Sequence, residues 1–97
     1  MKLKFSSVNN FYERLVFEYI LYEMTGLYKD QDEEFFLDVT CYALTRLPAR
    51  YFRHEIDMVY YLTDDERSEM QNLVKDTVTS AAEYIYKVRT EKVQALA

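Results

Sequence analysis

The chain has 97 residues, with 12 Lys and Arg against 17 Asp and Glu and a formal charge of −5. At 49% apolar and 30% charged residues it has the make-up of a folded chain, and its length suits a single domain that buries ~60–65% of the unfolded surface. One Cys, one His and one Gly exclude an internal disulfide framework, paired-histidine metal motifs and glycine-rich phosphate loops.

The spacing predicts a first helix over about 10–25. Asn10 stands at its N-cap with Glu13 three residues on, the arrangement of a capping box. Tyr12, Leu15, Val16, Tyr19, Ile20 and Glu23 recur at the steps of an amphipathic stripe, and Gly26 follows as the C′ residue. A second helix, about 32–47, opens on Asp30 or Asp32 as its cap. Asp30, Asp32, Glu33 and Glu34 suit the positive end of its dipole. They read as a solvated helix start, because a calcium loop needs an Asp-x-Asp-x-Asp-Gly pattern that is missing here. Phe35, Phe36, Val39, Tyr42, Ala43 and Leu47 supply its buried faces, and Pro48 ends it by disfavouring helix at the residue before.

Residues 50–62 change character. Arg50–His54 and Met58–Leu62 are short, aromatic-rich runs with β propensity, yet Glu55-Ile56-Asp57 between them is no tight-turn signal. An irregular hairpin and an extended loop with a helical turn both suit. The last helix, about 64–89, begins at the capping box Thr63-x-x-Glu66. Met70, Leu73, Val74, Thr77, Val78, Ala81, Ile85 and Val88 hold one face of it. Its length and its small residues Thr77, Ala81 and Ala82 invite a second subunit to pack closely. The expected fold is therefore mainly α: three principal helices and an irregular or short β-like segment, dimeric through helix packing, over 1–97 as one domain.

No apolar run approaches the ~20 residues of a membrane span, and no apolar region follows Lys2 and Lys4 as in a signal peptide. A free thiol without an export signal suits the cytoplasm. The acidic balance argues against DNA as a partner, since phosphate neutralisation needs many cations. A local cationic cluster is another matter. Arg46, Arg50 and Arg53 fall close together around Tyr51 and Phe52, with Tyr60 and Tyr61 soon after. Arginine forks grip phosphates and guanine edges, and aromatic rings offer faces to bases. The same arginines can equally pair with the acids of the second and third helices. Arg67, in an acidic first turn, is placed to pair with Asp64 or a nearby Glu. His54 and Cys41 lack the nucleophile, orienting partner and oxyanion site of a catalytic group. The chain reads as a non-enzyme with no catalytic residue, no metal and no cofactor.

The run Asp38-Val39-Thr40-Cys41-Tyr42-Ala43-Leu44-Thr45-Arg46-Leu47-Pro48-Ala49-Arg50-Tyr51 resembles the signature of the late competence development protein ComFB family. Asn10-x-x-Glu13-x-Leu15-Val16 resembles the family's first helix, and the stretch from Tyr61 to Arg67 with the striped helix after it resembles its C-terminal part. The resemblance implies a small, mainly helical homodimer that acts as a receptor for a cyclic dinucleotide, cyclic di-GMP ahead of cyclic di-AMP, and signals to an unidentified effector protein. Arg46, Arg50 and Arg53 would grip phosphates or guanine edges, Tyr51 would stack on a base, Thr63 would bond a phosphate, and Arg67 joins this set. The zinc-holding cysteines of some members have no counterpart between Tyr28 and Glu34, and Thr45 and Ala49 replace the family's frequent Asn and Pro. The alternative is a ligand-free adaptor linked to competence or motility.

Overall fold

A computed structural model describes residues 1–96 of the chain. A 3₁₀ turn, Phe5–Ser7, leads into the two-residue strand β1, Asn9–Asn10. Helix α1, Phe11–Tyr19, starts where the Asn10 Oδ1 accepts from the Tyr12 N–H at 3.2 Å, so the expected cap is in place. The helical path then continues through a π turn, Ile20–Met24, into α2, Thr25–Leu27. The apolar spacing explains this. Tyr12, Val16, Ile20 and Met24 are all buried at regular intervals of four, and four residues of α-helix overshoot a full revolution by about 40°. In the wider turn the Thr25 N–H donates to the Ile20 carbonyl, which takes up the excess and returns Met24 to the core.

Two expectations change with it. Glu23 is exposed, and Met24 holds the inward position instead. Gly26 is no left-handed C′ residue but lies inside α2 without a positive φ. Tyr28 leaves the helix, its N–H still bonded to the Met24 carbonyl at 3.0 Å.

Helix α3, Glu33–Arg46, agrees with the expected span within a residue at each end. Asp32 caps it, accepting from the Phe35 N–H at 2.9 Å. Leu47 is extended, as the residue before Pro48 must be. Strand β2, Tyr51–Phe52, then pairs antiparallel with β1, Asn9 opposite Phe52 and Asn10 opposite Tyr51. The hairpin alternative for 50–62 is thus replaced: β2 pairs with a segment near the N-terminus, and the Met58–Leu62 run is mostly helical, in α4, Glu55–Tyr61. Met58 and Leu62 are the buried pair of that run. Their spacing of four puts both on one side of a helix, and local β propensity yields to that burial.

Helix α5, Asp64–Leu96, runs well past its expected end near Arg89. At 33 residues it is about 50 Å long and spans the longest dimension of the molecule, 54 Å. α3 lies along α5, and α1 packs on both. Val16, Phe35, Ala43, Val78, Ala81 and Ala82 are completely buried where the three meet, and the alanines let the backbones approach. The inward stripe of α5 is narrower than its sequence suggests, for Leu73 and Val88 are 41% and 40% exposed. They lie on the flank of the arc centred on Met70, Val74, Val78 and Ala81. Among the described residues no helix is long and apolar enough to cross a membrane.

Two predictions concern stability. An added Cβ at Gly26 meets nothing within 4 Å. Gly26→Ala should therefore stabilise the protein by about 0.5–1 kcal/mol in urea titration, through lost freedom of the unfolded chain. Asp32 also accepts from Arg89 at 3.1 Å, and its bonds to the Phe35 N–H and then to Arg89 hold its carboxyl below the ordinary aspartate range. A depressed carboxylate pKa contributes stability above the unfolded value of about 3.9 and loses it as pH falls through the folded one. Asp32→Asn keeps a capping oxygen. Its melting temperature should lie below wild type at neutral pH, with the gap closing as pH falls below about 4.

Candidate functional site

The candidate site is built on the short ribbon of β1 and β2. The Asn10 Oδ1 that caps α1 also accepts from the Arg50 N–H at 2.9 Å. The Arg50 carbonyl in turn accepts from the Phe11 N–H at 2.8 Å. These bonds clamp β2 onto the first turn of α1. Phe52 meets Phe11 edge-on with ring centroids 5.8 Å apart, which anchors the ribbon to the core.

Between the ribbon, one face of α1 and the start of α4 lies a groove of about 510 Å³, a volume that suits a small ligand. Tyr51, Arg53, Arg14 and Phe17 line it, together with the carboxylates of Glu13, Glu18 and Glu55. Tyr51 is 69% exposed, its ring open to a stacking partner. Arg14 donates from Nε to Glu18 at 3.3 Å and from Nη1 to Glu55 in the first turn of α4. Those bonds, Glu55 first, raise its guanidinium above the ordinary arginine value.

Of the six residues singled out by the sequence, Tyr51 and Arg53 face this groove. Arg50 reaches instead toward α5, its Nη2 3.9 Å from Glu66 Oε2. The Thr63 Oγ1 accepts from the Glu66 N–H at 3.1 Å, one arm of the expected capping box. Arg50 and Thr63 thus both converge on Glu66, and Arg67 follows in the same turn. Arg67 is half-buried and enters none of the four ion pairs among the described residues, so the expected pairing with Asp64 is not made.

Arg46 stands apart. Its guanidinium lies over the Tyr42 ring, 4.6 Å from the centroid, and donates to the Tyr42 hydroxyl. Tyr42 stacks at 4.7 Å on Tyr84, which lies about 30 Å along α5 from Thr63. Spacing in sequence put three arginines together, but the turn at Leu47-Pro48 and the clamp at Arg50 send them to different surfaces. His54 is the exposed N-cap of α4, and Cys41 is an exposed free thiol on α3. Among the described residues no three His, Cys, Asp or Glu side chains converge as a metal ion would require.

Arg14 and Phe17 were not singled out by the sequence. The Arg14–Glu18 spacing was legible as a helical ion pair, but nothing local marks Glu55 as the second partner.

A family model described as late competence development protein ComFB matches residues 9–89, most of the chain. The chain belongs to the ComFB family. Comparisons with curated proteins and with solved structures found no match. The ComFB segment runs from β1 to the point on α5 where Arg89 meets Asp32, and it contains every groove-lining residue but Val8. The last turns of α5 lie outside it.

The clamp and the Arg50 side chain are separable. Asn10→Ala removes the acceptor of two backbone N–H groups and should cost about 1–2 kcal/mol in urea unfolding. Arg50→Ala removes one long, exposed ion pair while its backbone bonds remain. It should change stability by no more than about 0.5 kcal/mol.

Proposed function

We propose that this ComFB-family chain is a homodimeric receptor for a cyclic dinucleotide, cyclic di-GMP ahead of cyclic di-AMP, that acts by binding and passes its signal to an effector protein. The observation that carries this reading is Tyr51 on β2 and Arg53 just after it, both lining the groove beside α1. Tyr51 supplies a face for a base, and Arg53 a forked donor for a phosphate or a guanine edge. Arg50, Thr63 and Arg67, gathered at the N-terminus of α5, are the donors this reading assigns to the ligand's second phosphate. Arg46, committed to Tyr42, has no part in the groove. The dimer is supported by α5, whose last turns extend past its contact with α3 at Arg89.

One observation favours the adaptor alternative. Ile56, Val59, Tyr60 and Tyr61 on α4 are between 60% and 78% exposed, and Ile56, Val59 and Tyr60 share one helix face, an arrangement that serves protein contacts. The two readings separate in a thermal unfolding series with cyclic di-GMP, cyclic di-AMP, the linear dinucleotide and GTP. A ligand at a hundred times its dissociation constant adds about 2.7 kcal/mol to native stability, so the receptor reading expects a clear rise for one cyclic dinucleotide alone. Tyr51→Ala should weaken that binding about tenfold or more, in line with ~1–3 kcal/mol for stacking one base. No rise with any of the four would leave the adaptor reading in its place.

A further inference from the structure

Arg14 is the one cation of the groove that ties two elements together. It sits on α1, and through Glu55 it holds the first turn of α4. Its guanidinium has two edges able to grip an oxyanion through a pair of parallel N–H groups: Nε with Nη2, and Nη1 with Nη2. Glu18 accepts from Nε and Glu55 from Nη1, so a carboxylate already stands at each edge. A phosphate gripped by either edge brings further negative charge against the carboxylate there, and repulsion favours that carboxylate's departure. Glu18 lies one turn away on the same helix, so helix geometry keeps it beside Arg14. Glu55 comes from another element, and its side chain is 73% exposed, so it returns to water at little cost.

What Glu55 holds is a lightly anchored helix. α4 buries Met58, and Leu62 just beyond its end, while Ile56, Val59, Tyr60 and Tyr61 are exposed. We propose that Arg14 is a further anion-binding residue of the groove, and that a ligand phosphate gripped by its Nη1–Nη2 edge replaces Glu55 and uncouples α4 from α1. The inference rests on the nucleotide reading of the groove and adds its output: the same exchange of carboxylate for phosphate that binds the ligand frees the apolar helix beside it. Such coupling is reciprocal. Whatever breaks the Arg14–Glu55 pair favours the ligand, and the ligand favours the broken pair.

Two measurements test it. In the ligand-free protein, Glu55→Gln removes the charged latch, and the amides of α4 should exchange with deuterium a few-fold faster while those of α3 and α5 are unchanged. Equal rates in wild type and Glu55→Gln overturn the latch. Titration with cyclic di-GMP by calorimetry should show three- to tenfold tighter binding to Glu55→Gln and at least tenfold weaker binding to Arg14→Gln. Glu13→Gln is the control, since Glu13 lines the same groove without an ion pair. If it tightens binding as much as Glu55→Gln does, the effect is general charge and the proposal falls. An unchanged or weaker affinity in Glu55→Gln also overturns it. If cyclic di-GMP binds none of the four proteins, the receptor reading fails and takes the phosphate exchange with it, while the exchange rates of the ligand-free proteins still report on the latch.

Discussion

A single side-chain oxygen determines where the candidate site lies. Asn10 Oδ1 accepts from the Tyr12 N–H of its own helix and from the Arg50 N–H forty residues away. The first bond starts α1, and the second clamps β2 against that start. Two-residue strands contribute little pairing of their own, so the ribbon needs this cap and the Phe11–Phe52 ring contact to hold it. Because Tyr51 and Arg53 ride on the clamped segment, they come to stand over Arg14 and Phe17 of α1. The groove is the space left between a helix and the strand its own cap has captured.

α5 supplies the frame for this arrangement. Its inward face takes up α3 and α1, and the alanines at 43, 81 and 82 let those helices come close. At the far end Asp32 does two jobs at once, capping α3 and bonding Arg89 of α5, while Arg89 also lies over the Phe35 ring at 5.7 Å from its centroid. At the near end Thr63 starts α5 and brings Glu66 to Arg50. At Asn10 and Asp32 the helix cap itself also holds a neighbour, and at Thr63 the capped turn does so through Glu66. α4 is the exception: its first turn is tied by an exposed ion pair rather than by a cap, with burial only at Met58 and Leu62. That difference makes α4 the most lightly held of the helices around the groove.

Local signals carried far here. Asn10, the Asp30–Asp32 pair and Thr63 announced three helix starts because a cap is a short-range hydrogen bond between near neighbours, and the structure chose Asp32 of the pair. Pro48 announced the end of α3 for an equally local steric reason. Where sequence reasoning went astray, a longer-range constraint prevailed. Gly26 looked like a helix stop, yet the π turn carried the helix past it to keep Met24 inward. The run from Met58 to Leu62 suited either a hairpin arm or a loop with a helical turn, and the burial of its two ends on one side decided for the helix. Leu73 and Val88 belonged to the right period, but only the neighbours of α5 define how wide its buried arc is.

The candidate site divides in the same way. The sequence by itself determined the three main helices, their caps, the family to which the chain belongs, and the cluster of arginines and tyrosines between α3 and α4. These depend on residues within a turn or two of one another, or on a motif contiguous in the chain. Only the tertiary structure decided that Arg46 turns away onto Tyr42, that Arg50 goes to Glu66, and that Arg14 and Glu55 complete the groove with Tyr51 and Arg53. Those outcomes depend on where β2 is clamped and on the path of the chain after Pro48. A side chain's partner across the fold is fixed by packing between distant segments, which no local spacing encodes.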